Sequence, residues 1–112
     1  MRAVIEHYLS AKHLNAPGTG CPLAALAPEF ARQPLEVRKR INRSMLARGE
    51  RMLPYLPGRT AEEKRARAFV LFSGMAGALV AARAIADPQR RERMLAAARS
   101  FYVETFAPAK PR

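Results

Sequence analysis

Few residues in this sequence have types and spacing suited to chemistry. His7, His13 and Cys21 are the soft-metal candidates, but their separations match no standard zinc pattern and a fourth ligand is not evident. They read better as surface or helix-end histidines and an inert thiol, so no metal site is assigned. Asp87 is the only aspartate, and standing directly before Pro88 it is placed to cap a helix rather than to act as an acid or base. Catalysis needs polar groups that converge, and the apolar runs of this chain carry almost none. No catalytic residue and no cofactor is assigned, and enzymatic activity is not expected.

What remains is recognition. Tyr8, Phe30, Met45, Met52, Phe69 and Phe72 could line an apolar cavity, in which methionine adapts to ligands of different shape. The competing reading is ordinary core packing. Arg38, Lys39, Arg40, Arg43, Arg48 and Arg51 form a basic cluster that could touch phosphates, yet no interleaved aromatics and no short helix-turn-helix signature accompany it. A solvated face is the simpler reading. Ser73, Gly74, Gly77, Ala78, Ala81 and Ala82 would let another helix approach closely, either one from the same chain or one from a second copy.

These groups must be positioned by helices. Val4, Ile5, Tyr8 and Leu9 have helical spacing, which predicts a short helix, or the tail of a longer one, over Arg2 to Lys12, ended by Asn15 to Gly20. Pro22 suits a first helical position, and Leu23, Leu26 and Phe30 then share a face; Pro28 predicts a kink or restart near Ala27. From Leu35 to Leu53 an apolar stripe of Val37, Ile41, Met45, Leu46 and Met52 runs beside the arginines, and Pro54, Pro57 and Gly58 stop that helix. Thr60 to Glu63 has the form of a capping box, opening a helix from Ala61 to Ala86. Its stretch from Ala68 to Ala82 is uncharged on every side and must be covered all round. Fifteen such residues span about 22 Å against the ~30 Å of a hydrocarbon core, so a membrane role is not expected. The last helix starts at Asp87-Pro88 and places Met94, Leu95, Ala98, Phe101, Tyr102 and Phe106 on one side. Residues 1–107 form one helical domain in this reading, and residues 108–112 a flexible tail.

The composition agrees. Of 112 residues 49% are hydrophobic and 26% charged, enough for one apolar core. One cysteine forms no internal disulfide, and no signal-like segment begins the chain, so a cytoplasmic location is expected. The net charge of +11 favours polyanions, anionic surfaces or solubility without choosing among them.

Several fragments, taken in order, resemble a known family. Tyr8-Leu-Ser10, His13 and Gly20-Cys-Pro-Leu-Ala-Ala-Leu26, with Glu29 and Arg32, are similar to one branch of the C-terminal regulatory domains of TetR-family transcriptional regulators. Gly77-Ala-Leu-Val-Ala-Ala-Arg-Ala-Ile-Ala-Asp-Pro88 and Leu95-Ala-Ala-Ala-Arg99 continue the likeness through the later helices. Pro28 departs from it, falling where members more often carry a helix former, and so does Leu14-Asn15. The resemblance implies an all-α domain of about five helices, in which the last two pair with their symmetry mates as an intermolecular four-helix bundle. It also implies middle helices that enclose a small apolar or aromatic ligand. The family's helix-turn-helix domain is not among these 112 residues, so specific DNA binding by this chain alone is not expected.

A helix apolar all round in so small a domain points the same way, because self-association is the natural cover for it. Phe72, Met75, Gly77, Leu79, Leu95, Phe101 and Tyr102 are the candidate contacts of a homodimer. The function expected is ligand sensing and dimerisation within a TetR-like regulator. Two alternatives stand beside it: an accessory or dominant-negative protein that heterodimerises with a full-length TetR-like partner, and a non-specific nucleic-acid binder acting through Arg38 to Arg51.

Overall fold

The computed structural model describes residues 1–111; Arg112, the last residue of the expected tail, lies outside them. The fold is all-α. Five helices of seven residues or more, α1 (Arg2–Tyr8), α3 (Pro22–Ala31), α4 (Leu35–Met52), α5 (Ala61–Arg83) and α6 (Pro88–Phe106), are joined by a single-turn α2 (Ala11–Leu14) and a 3₁₀ turn over Leu53–Tyr55.

The first helix is shorter than its apolar spacing predicts. Ser10 leaves helical geometry and its hydroxyl accepts the His13 amide at 3.2 Å, capping a new turn and separating α1 from α2. The expected break at Pro28 does not occur, and α3 runs through it. Only one ladder bond is lost there, and the helix ends three residues later, so little helix remains for the ring to deflect.

Both later starts follow local chemistry. Thr60 Oγ1 accepts the Glu63 amide at 3.1 Å, while the Glu63 carboxylate reaches one residue further back than a capping box requires and accepts the Arg59 amide at 2.8 Å. Gly58, at φ 139°, makes the turn into that cap in a region that disfavours any side chain. Asp87 accepts the Gln89 and Arg90 amides at the head of α6.

The core lies between α5, α6 and the N-terminal turns. Ile5, Leu9, Leu71, Met75, Leu79 and Leu95 are fully buried, each contributing about 1.5–3 kcal/mol by leaving water. Leu56, in the proline-rich segment after α4, is buried with them. Arginines then stitch carbonyls left open at helix ends: Arg83 donates to Leu14 and His13 at 3.0 and 2.9 Å, and Arg99 to Leu9 at 2.8 Å. The N-terminal helices are thereby tied to α5 and α6 by polar as well as apolar contact.

Helix α4 differs from the rest in having no buried residue. Its stripe of Ile41, Met45 and Met52 lines an open space, with Met52 also packed against the core. A bidentate link holds its end to α5, with Arg65 donating to Glu50 at 2.6 and 3.2 Å. That link keeps the Glu50 carboxyl below the usual carboxylate range.

Helix α5 is long and apolar enough to cross a membrane by length and composition. In the fold its Ala68, Leu71, Met75, Ala76, Leu79 and Ala82 pack into the core, while Phe69, Val70 and Val80 stand in solvent. One chain therefore covers one side of this helix only.

Candidate functional site

The loop from Asn15 to Gly20 is set by one side chain. The His13 ring lies 2.7 Å through Nδ1 from the Tyr8 carbonyl and accepts the Cys21 amide at Nε2 at 2.9 Å. With Nε2 accepting, Nδ1 carries the proton and donates to Tyr8, a neutral tautomer fixed at both ends. The Tyr8 ring meets the His13 ring edge-on with centroids 4.7 Å apart. Gly20 passes so close that a Cβ there would overlap the imidazole. His13 thus joins the end of α1 to the start of α3, and its nitrogens are committed to the backbone. No group of three histidine, cysteine or acidic side chains converges among the described residues.

This arrangement makes one wall of a cavity of about 690 Å³, open on one side, bounded by Tyr8, the Gly20–Leu23 segment, Phe30, α4 and Phe72 of α5. Its size falls within the ~300–1,000 Å³ of small-molecule sites. Five of the six residues picked out for such a cavity, Tyr8, Phe30, Met45, Met52 and Phe72, line it together. The sixth, Phe69, does not: one turn before Phe72, it points into solvent and is 74% exposed.

Gly20, Cys21, Pro22, Leu23, Ile41, Ser44, Arg48, Gly49 and Arg51, which the sequence does not mark as cavity residues, also line it. A signal was available in α4, where Ile41, Met45, Gly49 and Met52 recur at helical spacing with glycine instead of a fourth large side chain. A Cβ on Gly49 would meet nothing within 4 Å, so the glycine leaves space. The Tyr8 hydroxyl is enclosed in the wall without a hydrogen-bond partner. Burial, with the nearby Cys21 side chain adding to it, pushes that phenol well above its ordinary range.

The second candidate surface lies across α5. Of the seven residues proposed for pairing, Gly77 and Phe101 are exposed, Phe72 and Tyr102 are half-buried, and Met75, Leu79 and Leu95 are enclosed within their own chain. The last three have no surface left to offer a second copy. Gly74, likewise, is filled from within, because a Cβ there would strike the Tyr102 hydroxyl, whereas one on Gly77 would meet open space. The exposed apolar residues are Phe69, Val70 and Val80 on α5 and Met94 and Phe101 on α6. They recur at helical spacing around Ser73, Gly77 and Ala97, so the two helices present one continuous open face.

The family described as tetracyclin repressor-like, C-terminal domain, matches residues 1–98. The chain belongs to this family. Its members are parts of transcription regulators rather than enzymes, and ligand binding and dimerisation are typical of these TetR C-terminal domains. No curated protein and no solved structure matches the chain. The TetR C-terminal assignment covers α1 to α5 and the first half of α6.

Proposed function

We propose that this chain is the ligand-sensing and dimerisation unit of a TetR-like regulator, acting in the cytoplasm as a homodimer. The observation that carries this reading is that one helix serves both surfaces. Phe72 of α5 lines the cavity, while Phe69, Val70 and Gly77 of the same helix form the open face. A ligand that displaces Phe72 bears directly on the angle at which two copies meet.

The mechanism is a shift between two spacings of the dimer, with no covalent step. A ligand moves that balance only by the difference in its affinity for the two states, so a change from 1:99 to 99:1 needs about 10⁴-fold discrimination. Residues 1–107 act as the unit that senses and pairs, and α5 and α6 of each copy form the four-helix bundle between them.

Thermal unfolding of the chain against a panel of small apolar and aromatic compounds tests the cavity. A true ligand raises the midpoint with the logarithm of its concentration, adding about 2.7 kcal/mol of stability at a hundred times its Kd. A Met45→Trp chain, whose cavity is blocked, keeps its fold and loses that response. A response unchanged by Met45→Trp contradicts the assignment of the cavity.

The same open face supports a second reading, pairing with a full-length TetR-like regulator. Mixing the chain with such a partner then gives a heterodimer at the expense of the homodimer, whereas exclusive recovery of homodimer removes this alternative.

A further inference from the structure

The cavity that the proposed function assigns to a ligand is apolar but not electrically neutral. Its lining includes Arg48 and Arg51 and contains no aspartate or glutamate. Neither arginine enters an ion pair among the described residues, in common with most arginines of the chain. The carboxylate nearest in sequence, Glu50, is held by Arg65 in two hydrogen bonds and is absent from the lining.

Ser44, Arg48 and Arg51 stand at i, i+4 and i+7 on α4, so they form one flank of the helix beside the apolar stripe of Ile41, Met45 and Met52. The lining thus combines hydrogen-bond donors on one flank of α4 with aromatic and methionine side chains from α3, α4 and α5. Arg48 and Arg51 are exposed, which places their charges at the mouth.

We infer that the ligand is an anionic amphiphile, with an oxyanion headgroup against Ser44, Arg48 and Arg51 and an apolar body directed toward Phe30 and Phe72. This rests on the reading of the cavity as a ligand site and adds the chemical class. A wholly apolar occupant would leave both guanidinium groups hydrated at the mouth and gain nothing from them. A carboxylate or phosphate accepts from both, and guanidinium matches either in planar, bidentate geometry.

Calorimetric titration of the intact chain with dodecanoate, dodecyl phosphate and dodecanol, each below its micelle-forming concentration, tests this. The two anions bind at least about tenfold more tightly than the alcohol, a difference of ~1.4 kcal/mol. The tighter of the two identifies the headgroup as a free acid or a phosphate ester. The double variant Arg48→Gln/Arg51→Gln removes that tenfold advantage and leaves dodecanol within about twofold, while Arg43→Gln, on the opposite face of α4, changes neither.

Equal binding of alcohol and anions, unaffected by the double variant, overturns the anionic class while leaving an apolar ligand site intact. An equal loss on Arg43→Gln also overturns it, because the preference then comes from net charge at a distance. Absence of binding by all three removes the ligand site as well.

Discussion

A Cβ on Gly20 would run into the His13 imidazole, so the contact between loop and ring depends on one missing methyl group. Gly20→Ala is expected to destabilise the chain by about 1–3 kcal/mol as the ring is pushed from its place, read as a lower denaturant midpoint with little change in slope. His13→Ala leaves the Cys21 amide without its acceptor and the Tyr8 carbonyl without its donor, and is expected to lose a similar amount. The two losses should not add, because both dismantle the same junction. Tyr8→Phe is expected to be neutral or to stabilise the ligand-free chain by up to ~1 kcal/mol, since the hydroxyl it removes is enclosed and unpartnered. A large loss in equilibrium unfolding would show that this hydroxyl has a partner after all. The roles of these residues were hard to read from the sequence. His13 looked like a helix-end histidine because its two partners, a carbonyl and an amide, leave no mark in residue type, although Ser10 three residues before it does signal a cap.

At the scale of elements, the two glycines of α5 make opposite predictions. Gly74→Ala meets the Tyr102 hydroxyl inside the chain and should lower folding stability, whereas Gly77→Ala meets nothing and should hold or raise it by up to about 1 kcal/mol. A larger residue at Gly77 should leave the single chain folded and weaken pairing, so Gly77→Gln separates the two roles by comparing unfolding with solution mass. In α4, Gly49→Ala should stabilise by ~0.5–1 kcal/mol through helix propensity alone, since its Cβ enters open space. Helix identity and most boundaries were legible, because Thr60, Asp87, Pro22 and Pro88 act locally. The division of α5 into a buried and an open side was not. Its 68–82 run is uncharged at every position, so periodicity carries little phase, and only contact with Tyr102, Leu95 and the N-terminal turns decides which residues go inward. For that reason the run alone does not show that Met75 and Leu79 are enclosed within their own chain. On α4 the reverse held: the stripe was visible, but an apolar stripe looks the same whether it meets a core or a cavity.

The whole molecule is a slab, with principal extents of 42 × 40 × 17 Å and a radius of gyration of 14.9 Å, against about 13 Å for a compact domain of this length. It exposes 7916 Å². A folded monomer of this mass exposes about 6,100 Å², so the excess exceeds the ~800 Å² that each partner loses in an interface of standard size. Part of that excess is the cavity, and part is the face of Phe69, Val70, Val80, Met94 and Phe101. A charge placed on this face should break the pairing: Phe69→Asp is expected to raise the dimer dissociation constant by a hundredfold or more, roughly the 2.7 kcal/mol or greater of an aromatic anchor, while the far-ultraviolet spectrum of the helices is unchanged. The net charge of +11 makes a separate forecast. Any affinity for duplex DNA should collapse between 50 and 200 mM salt, on the order of the losses seen for proteins that hold phosphate alone, with no preference among sequences. Most direct of all is the mass of the chain in solution, measured by light scattering across a range of concentrations. A stable species near twice the 12.4 kDa of one chain is expected, reduced to one chain by Phe69→Asp. A monomer that persists at the highest concentration would contradict it.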